Sequence, residues 1–221
     1  MVDFSSAITV KLIDSMGDDA RIAEAARVST KGLENKSDKI TGLVRALIRE
    51  KHSSPLEHCV MTVSVDAPIF VAREWMRHRT QSYSEISARY TQLEPKFYRP
   101  ANNRPLVQAG KALDYRREAG TDDQRTYTYI HHRDVADAWW AYQRMLEEGI
   151  ANEVARNVLP VSAYTQFFAT ANLNNWLKFL TLRDHPTALY EIRQGAKQVD
   201  ELIEQQWPIA WQAYHDYKGD K

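Results

Sequence analysis

The chain of 221 residues has one cysteine, no net charge and no long apolar run. A single thiol, Cys59, excludes an intrachain disulfide framework and a multi-cysteine zinc site. The 29 Lys and Arg balance the 29 Asp and Glu, and the basic residues form no block. That argues against a general nucleic-acid or membrane-surface binder, which needs a basic excess on at least one face. No stretch is long and apolar enough to span a bilayer, and the first ten residues hold no sustained apolar core of the signal-peptide kind. These absences make a soluble cytoplasmic protein the expectation, with no membrane partner. Repeats, low-complexity tracts and linkers are also lacking, so residues 1–221 read as one domain large enough to bury a substantial core.

What is present is periodicity. Ile8, Val10 and Leu12 alternate as a strand over residues 8–13, and Met61, Val63 and Val65 do so over residues 60–65. Residues 162–171 give a third strand. Helical spacing covers residues 18–28. After a Ser37 N-cap it resumes with Ile40, Leu43, Val44, Leu47 and Ile48 sharing a face. Pro68 suits the first turn of a helix that ends with Arg77, His78 and Arg79. A long helix over residues 127–148 buries Val135, Trp139, Tyr142 and Leu146, with Gly149 as its stop. Shorter helices follow at 152–159 and 172–183, and Pro186 opens a C-terminal helix reaching Trp207. Residues 99–123 read as a loop or short helix. The fold expected is α+β: a modest sheet packed by long helices.

Residues 74–90 concentrate the chemistry, as Glu-Trp-Met-Arg-His-Arg-Thr-Gln-Ser-Tyr-Ser-Glu-Ile-Ser-Ala-Arg-Tyr. Guanidinium forks, an imidazole, hydroxyls and a carboxylate in so short a span suit a polyanion bearing a heterocycle, because Arg bonds phosphate through two N–H groups at once. The competing reading places the cations at a helix C-terminus simply because the macrodipole favours them there. Residues 52–58 carry His52, Glu57 and His58, but Pro55 interrupts them and the spacing is not a helical histidine pair, so no metal site is expected.

The run Arg77-His78-Arg79, seven residues, Ser87, then Arg89-Tyr90 resembles the signature of the flavin-dependent thymidylate synthases. The resemblance extends to Arg27-Val28-Ser29, to His52-Ser53-Ser54-Pro55-Leu56-Glu57-His58 and to Leu180-Thr181-Leu182-Arg183, so it covers most of the chain outside 99–123. It implies an enzyme that methylates dUMP with methylenetetrahydrofolate as carbon donor, FAD as hydride carrier and NADPH as reductant. It implies FAD contacts from Ser29, Ser54, Arg77, His78, Arg79, Glu85, Asn172, Asn174 and Lys178, with His52 bordering the flavin and Glu57 and His58 in support. It implies dUMP contacts from Glu74, Arg77, Ser87, Ala88, Arg89, Arg156 and Arg183, with Arg183 facing the pyrimidine as the catalytic group. It further implies a homotetramer with sites shared between subunits. Glu74 stands where the family usually has Gln, and Ala88 where Gly is common.

Two other readings compete. One is a single-stranded nucleic-acid module that stacks bases on Tyr83, Tyr90 and Tyr98 beside the arginines. The other is a helical assembly protein built around Trp139-Trp140, which leaves the residues from Arg77 to Arg89 without a role. Ser87 reads as a binding group because no base stands beside it in sequence. Cys59 opens an apolar strand with no cation to lower its pKa, so it reads as a small hydrophobe and not as a nucleophile.

Overall fold

A computed structural model of the chain describes residues 1–31, 39–111 and 114–219. In chain order the elements are β1 (Asp3–Ser5), β2 (Thr9–Met16), α1 (Asp19–Lys31), α2 (Thr41–Arg49), a 3₁₀ turn (Ser54–His58), β3 (Val60–Pro68), α3 (Ile69–Trp75), β4 (Ser82–Glu85) and β5 (Lys96–Tyr98). The hairpin β6 (Val107–Lys111) and β7 (Asp114–Glu118) follows, then α4 (Asp122–Thr128), α5 (Ile130–Glu147), α6 (Asn152–Ala155) and a 3₁₀ turn (Arg156–Val158). The chain ends in β8 (Tyr164–Asn172), α7 (Leu173–Arg183), α8 (Tyr190–Gln206) and α9 (Pro208–Tyr217). Helices mixed with small sheets make this an α+β fold, as the periodicity predicts.

The chain packs into two compact units. The first comprises Met1–Ile8, Asp66–Trp75 and Glu85–Gln166, the second Thr9–Val65, Met76–Ser84 and Phe167–Lys221. In the first unit, β1 pairs with β5 in parallel, Phe4 opposite Phe97. Its core is Phe97, Val135, Trp139, Tyr142, Ala155 and Ala163, with Phe97 meeting Trp139 edge-on at 6.0 Å between ring centres. The α5 stripe is therefore core on one side, as its spacing predicts, while Trp140 on the opposite side is 65 % exposed.

Most of the four-stranded sheet, ordered β2-β3-β8-β4, belongs to the second unit. Met61, Val63 and Val65 alternate inward on β3 and are fully buried. On α7, Leu173, Trp176, Leu177 and Leu180 face the core, and the Trp176 indole donates to the Met61 carbonyl at 3.1 Å. Asn172 caps α7 by accepting from the Asn175 N–H at 3.0 Å, a side-chain partner for one of the free donors every helix start leaves. The two ends of this unit are tied by Asp19, whose buried carboxylate accepts from the Ile209 and Ala210 N–H groups at 2.9 and 3.0 Å. The Trp207 indole adds a bond to the Gly17 carbonyl at 2.9 Å.

Several expected elements differ. The Ser37 cap lies outside the described residues, and α2 starts at Thr41 with Ile40 at its N-cap and no side-chain cap. Pro68 closes β3 and does not begin the helix: α3 runs only Ile69–Trp75, so Arg77, His78 and Arg79 stand in the turn beyond it. Their backbone is held by turn bonds, Arg79 N–H to Arg77 O and Gln81 N–H to His78 O, each 3.1 Å. The long helix expected over 127–148 is divided at Tyr129, where α4 ends and α5 begins. The stretch expected as a loop carries the β6–β7 hairpin. Pro186 does not open α8, which starts at Tyr190, and α9 follows it after Trp207.

Candidate active site

The second unit holds Arg77, His78, Arg79 and Arg183 together with the residues around α7. Short α3 releases the chain into the turn, and α7 delivers Arg183 on its last residue. The Arg183 Nε–H donates to His78 Nε2 at 2.8 Å. An imidazole nitrogen accepts only when unprotonated, so His78 is neutral and carries its proton on Nδ1. Its pKa is lowered from 6.5 to about 4, first by burial and then by the Arg183 charge. The Phe179 ring meets the imidazole edge-on at 4.9 Å. Tyr83 approaches the His78 carbonyl at 2.9 Å, and burial pushes its phenol well above the ordinary tyrosine range, so it serves as a donor. The ring is thereby fixed on one side, the backbone on another, and the guanidinium takes its direction from both. Arg77 and Arg79 remain exposed beside this assembly in sequence.

Asn174 and Lys178 are one helical turn apart on α7 and line one cleft, with Ser53 and Leu56 on the 3₁₀ side. The Asn174 amide donates to Glu57 Oε1 at 3.2 Å. His52 and Ser54 are exposed. Ser29 donates from its hydroxyl to the Ala26 carbonyl at 3.0 Å, the helix back-bond common for serine. Cys59 is buried, its Sγ 3.5 Å from the Asp18 carbonyl, and its pKa is pushed up to about 12 by burial and then by Asp18 and Asp19. A thiol held protonated in this way is no nucleophile at neutral pH.

The first unit holds Glu74, Glu85, Ser87, Ala88, Arg89 and Arg156. Ser87 forms a tight turn: its carbonyl accepts from the Tyr90 and Thr91 N–H groups at 3.0 Å, and its hydroxyl from the Arg89 N–H at 3.3 Å. The Arg89 Nε donates to Glu153 at 2.9 Å, with both side chains about half exposed. An ion pair so exposed is weakly held, so Arg89 can exchange its partner for a ligand anion. Glu85 accepts from the Thr165 hydroxyl at 2.6 Å. Arg156 closes α6 and opens the following 3₁₀ turn. Sequence reasoning missed Phe179 and the contact between Tyr83 and His78; aromatic residues at these positions carry no signal of their own until α7 and the turn are brought together.

Of the three tyrosines in the nucleic-acid reading, Tyr90 is 79 % exposed and the other two are withdrawn. Tyr98 is 8 % exposed and packed edge-on against Phe70, and Tyr83 is half-buried with its hydroxyl engaged. Among the described residues no group of three or more His, Cys, Asp or Glu is placed to hold a metal ion, and no helix is long and apolar enough to cross a membrane.

An α+β fold whose second unit sets Arg183, at the end of α7, on a neutral imidazole flanked in sequence by two exposed guanidiniums suits a protein that handles a phosphorylated heterocycle. The family described as thymidylate synthase complementing protein matches residues 11–209. A flavin-dependent thymidylate synthase of Thermus thermophilus is 39 % identical over 208 residues, spanning 94 % of this chain and 76 % of that protein. That of Thermosipho melanesiensis is 37 % identical over 214 residues, 96 % of this chain and 93 % of that protein. A crystal structure of the UMP/dUMP methylase PolB from Streptomyces cacaoi with 5-Br dUMP superposes with a TM-score of 0.91 at 40 % identity, covering 98 % of both chains. The chain belongs to the flavin-dependent thymidylate synthase family.

Proposed function

We propose that residues 1–221 act as one enzyme domain that converts dUMP to dTMP, taking the carbon from methylenetetrahydrofolate. When bound, FAD reduced by NADPH supplies the hydride. The donor set fits such a dinucleotide: the exposed guanidiniums of Arg77 and Arg79, the Lys178 ammonium and the Asn174 amide belong to one unit, and cations with planar donors suit a pyrophosphate. Ser29, Ser54, His78, Glu85 and Asn172 complete the proposed flavin set, with His52 at its border. Ser87, Ala88, Arg89 and Arg156 hold the nucleotide, Glu74 and Arg77 assist, and a fork such as Arg89 grips phosphate through parallel N–H bonds.

The observation that carries the reading is the bond from Arg183 to His78. It uses the Nε–H of the guanidinium and fixes the direction of the side chain at the end of α7. Addition of hydride at C6 makes the C4 carbonyl of the pyrimidine enolate-like until C5 gives its electron pair to the incoming carbon, and a fixed cation there stabilises the charge as it forms. Loss of such a donor costs about 10²–10³ in rate. Arg183→Ala is therefore expected to slow oxidation of reduced flavin by dUMP and folate by that factor even at saturating dUMP. Recovery of the wild-type rate at saturation would reduce Arg183 to a binding residue.

PolB, being a UMP/dUMP methylase, supports a second substrate. We propose that this chain also accepts UMP, and methylated product from UMP in the same assay decides it. The assembly we propose is a cytoplasmic homotetramer with shared sites, for which light scattering of the purified protein must give four chains.

A further inference from the structure

In the first unit, the turn that carries Ser87, Ala88 and Arg89 is fixed unequally at its two ends. At its start the Ile86 N–H bonds to the Gln166 carbonyl at 2.9 Å, and the buried Thr165 hydroxyl holds the Glu85 carboxylate at 2.6 Å. The Tyr90 and Thr91 N–H groups then close the turn on the Ser87 carbonyl. Beyond it the chain runs through Gln92, Leu93 and Glu94 to Pro95, whose carbonyl accepts from the Asp3 N–H at 2.7 Å. Gln92 and Leu93 line a cavity of about 110 Å³ on the side of β8 and another of about 370 Å³ on the side of α5. With space on both sides, packing does little to hold residues 92–94.

One hydroxyl does the holding. The Leu93 N–H donates to the Tyr142 phenol oxygen at 3.1 Å. Among the described residues this is the one hydrogen bond from residues 92–94 to anything beyond their own neighbours in sequence. Tyr142 itself is immobile: it is fully buried on the core face of α5, its ring 5.1 Å from that of Trp139. The core asks only for an apolar side chain at this position, and phenylalanine would bury the same ring. The hydroxyl therefore serves the segment outside the core, as a buried phenol that has found its partner.

We propose that Tyr142 is a positioning residue for the nucleotide. Its hydroxyl fixes the far end of the turn, so that Ser87 and Arg89 are presented as a preformed donor set. The proposal rests on the assignment of those two residues to dUMP argued above. Without the bond, residues 92–94 have slack between the two cavities, and each binding event must first order the turn.

Flavin-loaded wild type, Tyr142→Phe and Val135→Ala are compared in dUMP binding, in dTMP formation against dUMP concentration, and in amide hydrogen exchange of residues 86–95. Tyr142→Phe should weaken dUMP about three- to tenfold, as loss of one hydrogen bond does, in both dissociation constant and KM. Its rate at saturating dUMP and its flavin content should stay at the wild-type values, while residues 86–95 exchange faster in the absence of nucleotide. Val135→Ala, truncated on the same buried face of α5, should lower the melting temperature and leave dUMP affinity unchanged. In wild type, dUMP should slow exchange across residues 86–95. If it does so and Tyr142→Phe still binds dUMP as wild type does, the inference fails while the nucleotide site stands. Equal weakening by Val135→Ala would also overturn it, because the effect would then belong to the stability of α5. No slowing by dUMP in wild type would overturn it together with the nucleotide assignment.

Discussion

Protonation of His78 is expected to cost stability as the pH falls. In the folded chain the imidazole accepts from Arg183 and its pKa lies at about 4, against an ordinary 6.5 in the unfolded chain. A depressed pKa means that the unfolded state binds the proton first as pH falls. The stability linked to this ring is therefore whole above about pH 6.5, declines through the interval, and is fully lost below about pH 4. A separation of that size corresponds to about 3 kcal/mol at about 1.4 kcal/mol per pH unit. Partial solvent screening of the ring brings it to about 2 kcal/mol, or about 4–8 °C in melting temperature for a chain this long. The comparison is His78→Gln, whose amide oxygen accepts from Arg183 but takes no proton. His132, also held below its ordinary range by burial, and Asp216, held down by Gln212 and Arg45, titrate alike in both proteins and cancel. Melting measured from pH 7.5 to 4 should converge, wild type losing its lead as the acid limb is crossed. Parallel curves, or an imidazole signal titrating near pH 6.5 in the folded wild type, would refute the neutral acceptor.

Cys59→Ala is expected to form dTMP in a single turnover as wild type does, with about 1 kcal/mol lost to packing; abolished product with flavin and dUMP still bound would make the thiol the nucleophile. Asp19→Ala leaves two N–H groups at the start of α9 without their carboxylate, so it should cost about 2–3 kcal/mol in urea denaturation. A change under about 0.5 kcal/mol would show that water replaces the carboxylate without penalty.

Elements with a full period were legible in the sequence. Met61, Val63 and Val65 alternate inward as read, the α5 face of Val135, Trp139 and Tyr142 is buried, and Leu173, Leu177 and Leu180 align on α7. Cys59 was readable from its apolar setting alone. Elements set by distant partners were not. The strands β1 and β5 have three residues each and pair across about ninety positions, too short to show a period. The early end of α3 follows from turn bonds beyond Trp75 and from His78 meeting Arg183. The α8 boundary was read at Trp207, but Pro208 begins another helix because Asp19, from the opposite end of the chain, supplies its cap. The family resemblance supplied the candidate site residues; that Arg183 at the end of α7 meets His78 in the turn after α3 required the fold.

The Asp19 and Trp207 contacts join residues about 190 positions apart, and the unit they close is assembled from three separate segments of chain. During synthesis α1 and β2 emerge early, with hydrophobic faces exposed, and wait for α8 and α9 before the second unit can close. Loop closure over so many residues is slow, and the waiting surface is open to aggregation. The first unit draws most of its residues from the continuous stretch Glu85–Gln166 and has no comparable delay. Recombinant yield should therefore depend on chaperone capacity and growth temperature more than on the stability of the finished fold. Truncations that remove α9 should fail in synthesis before they fail in catalysis.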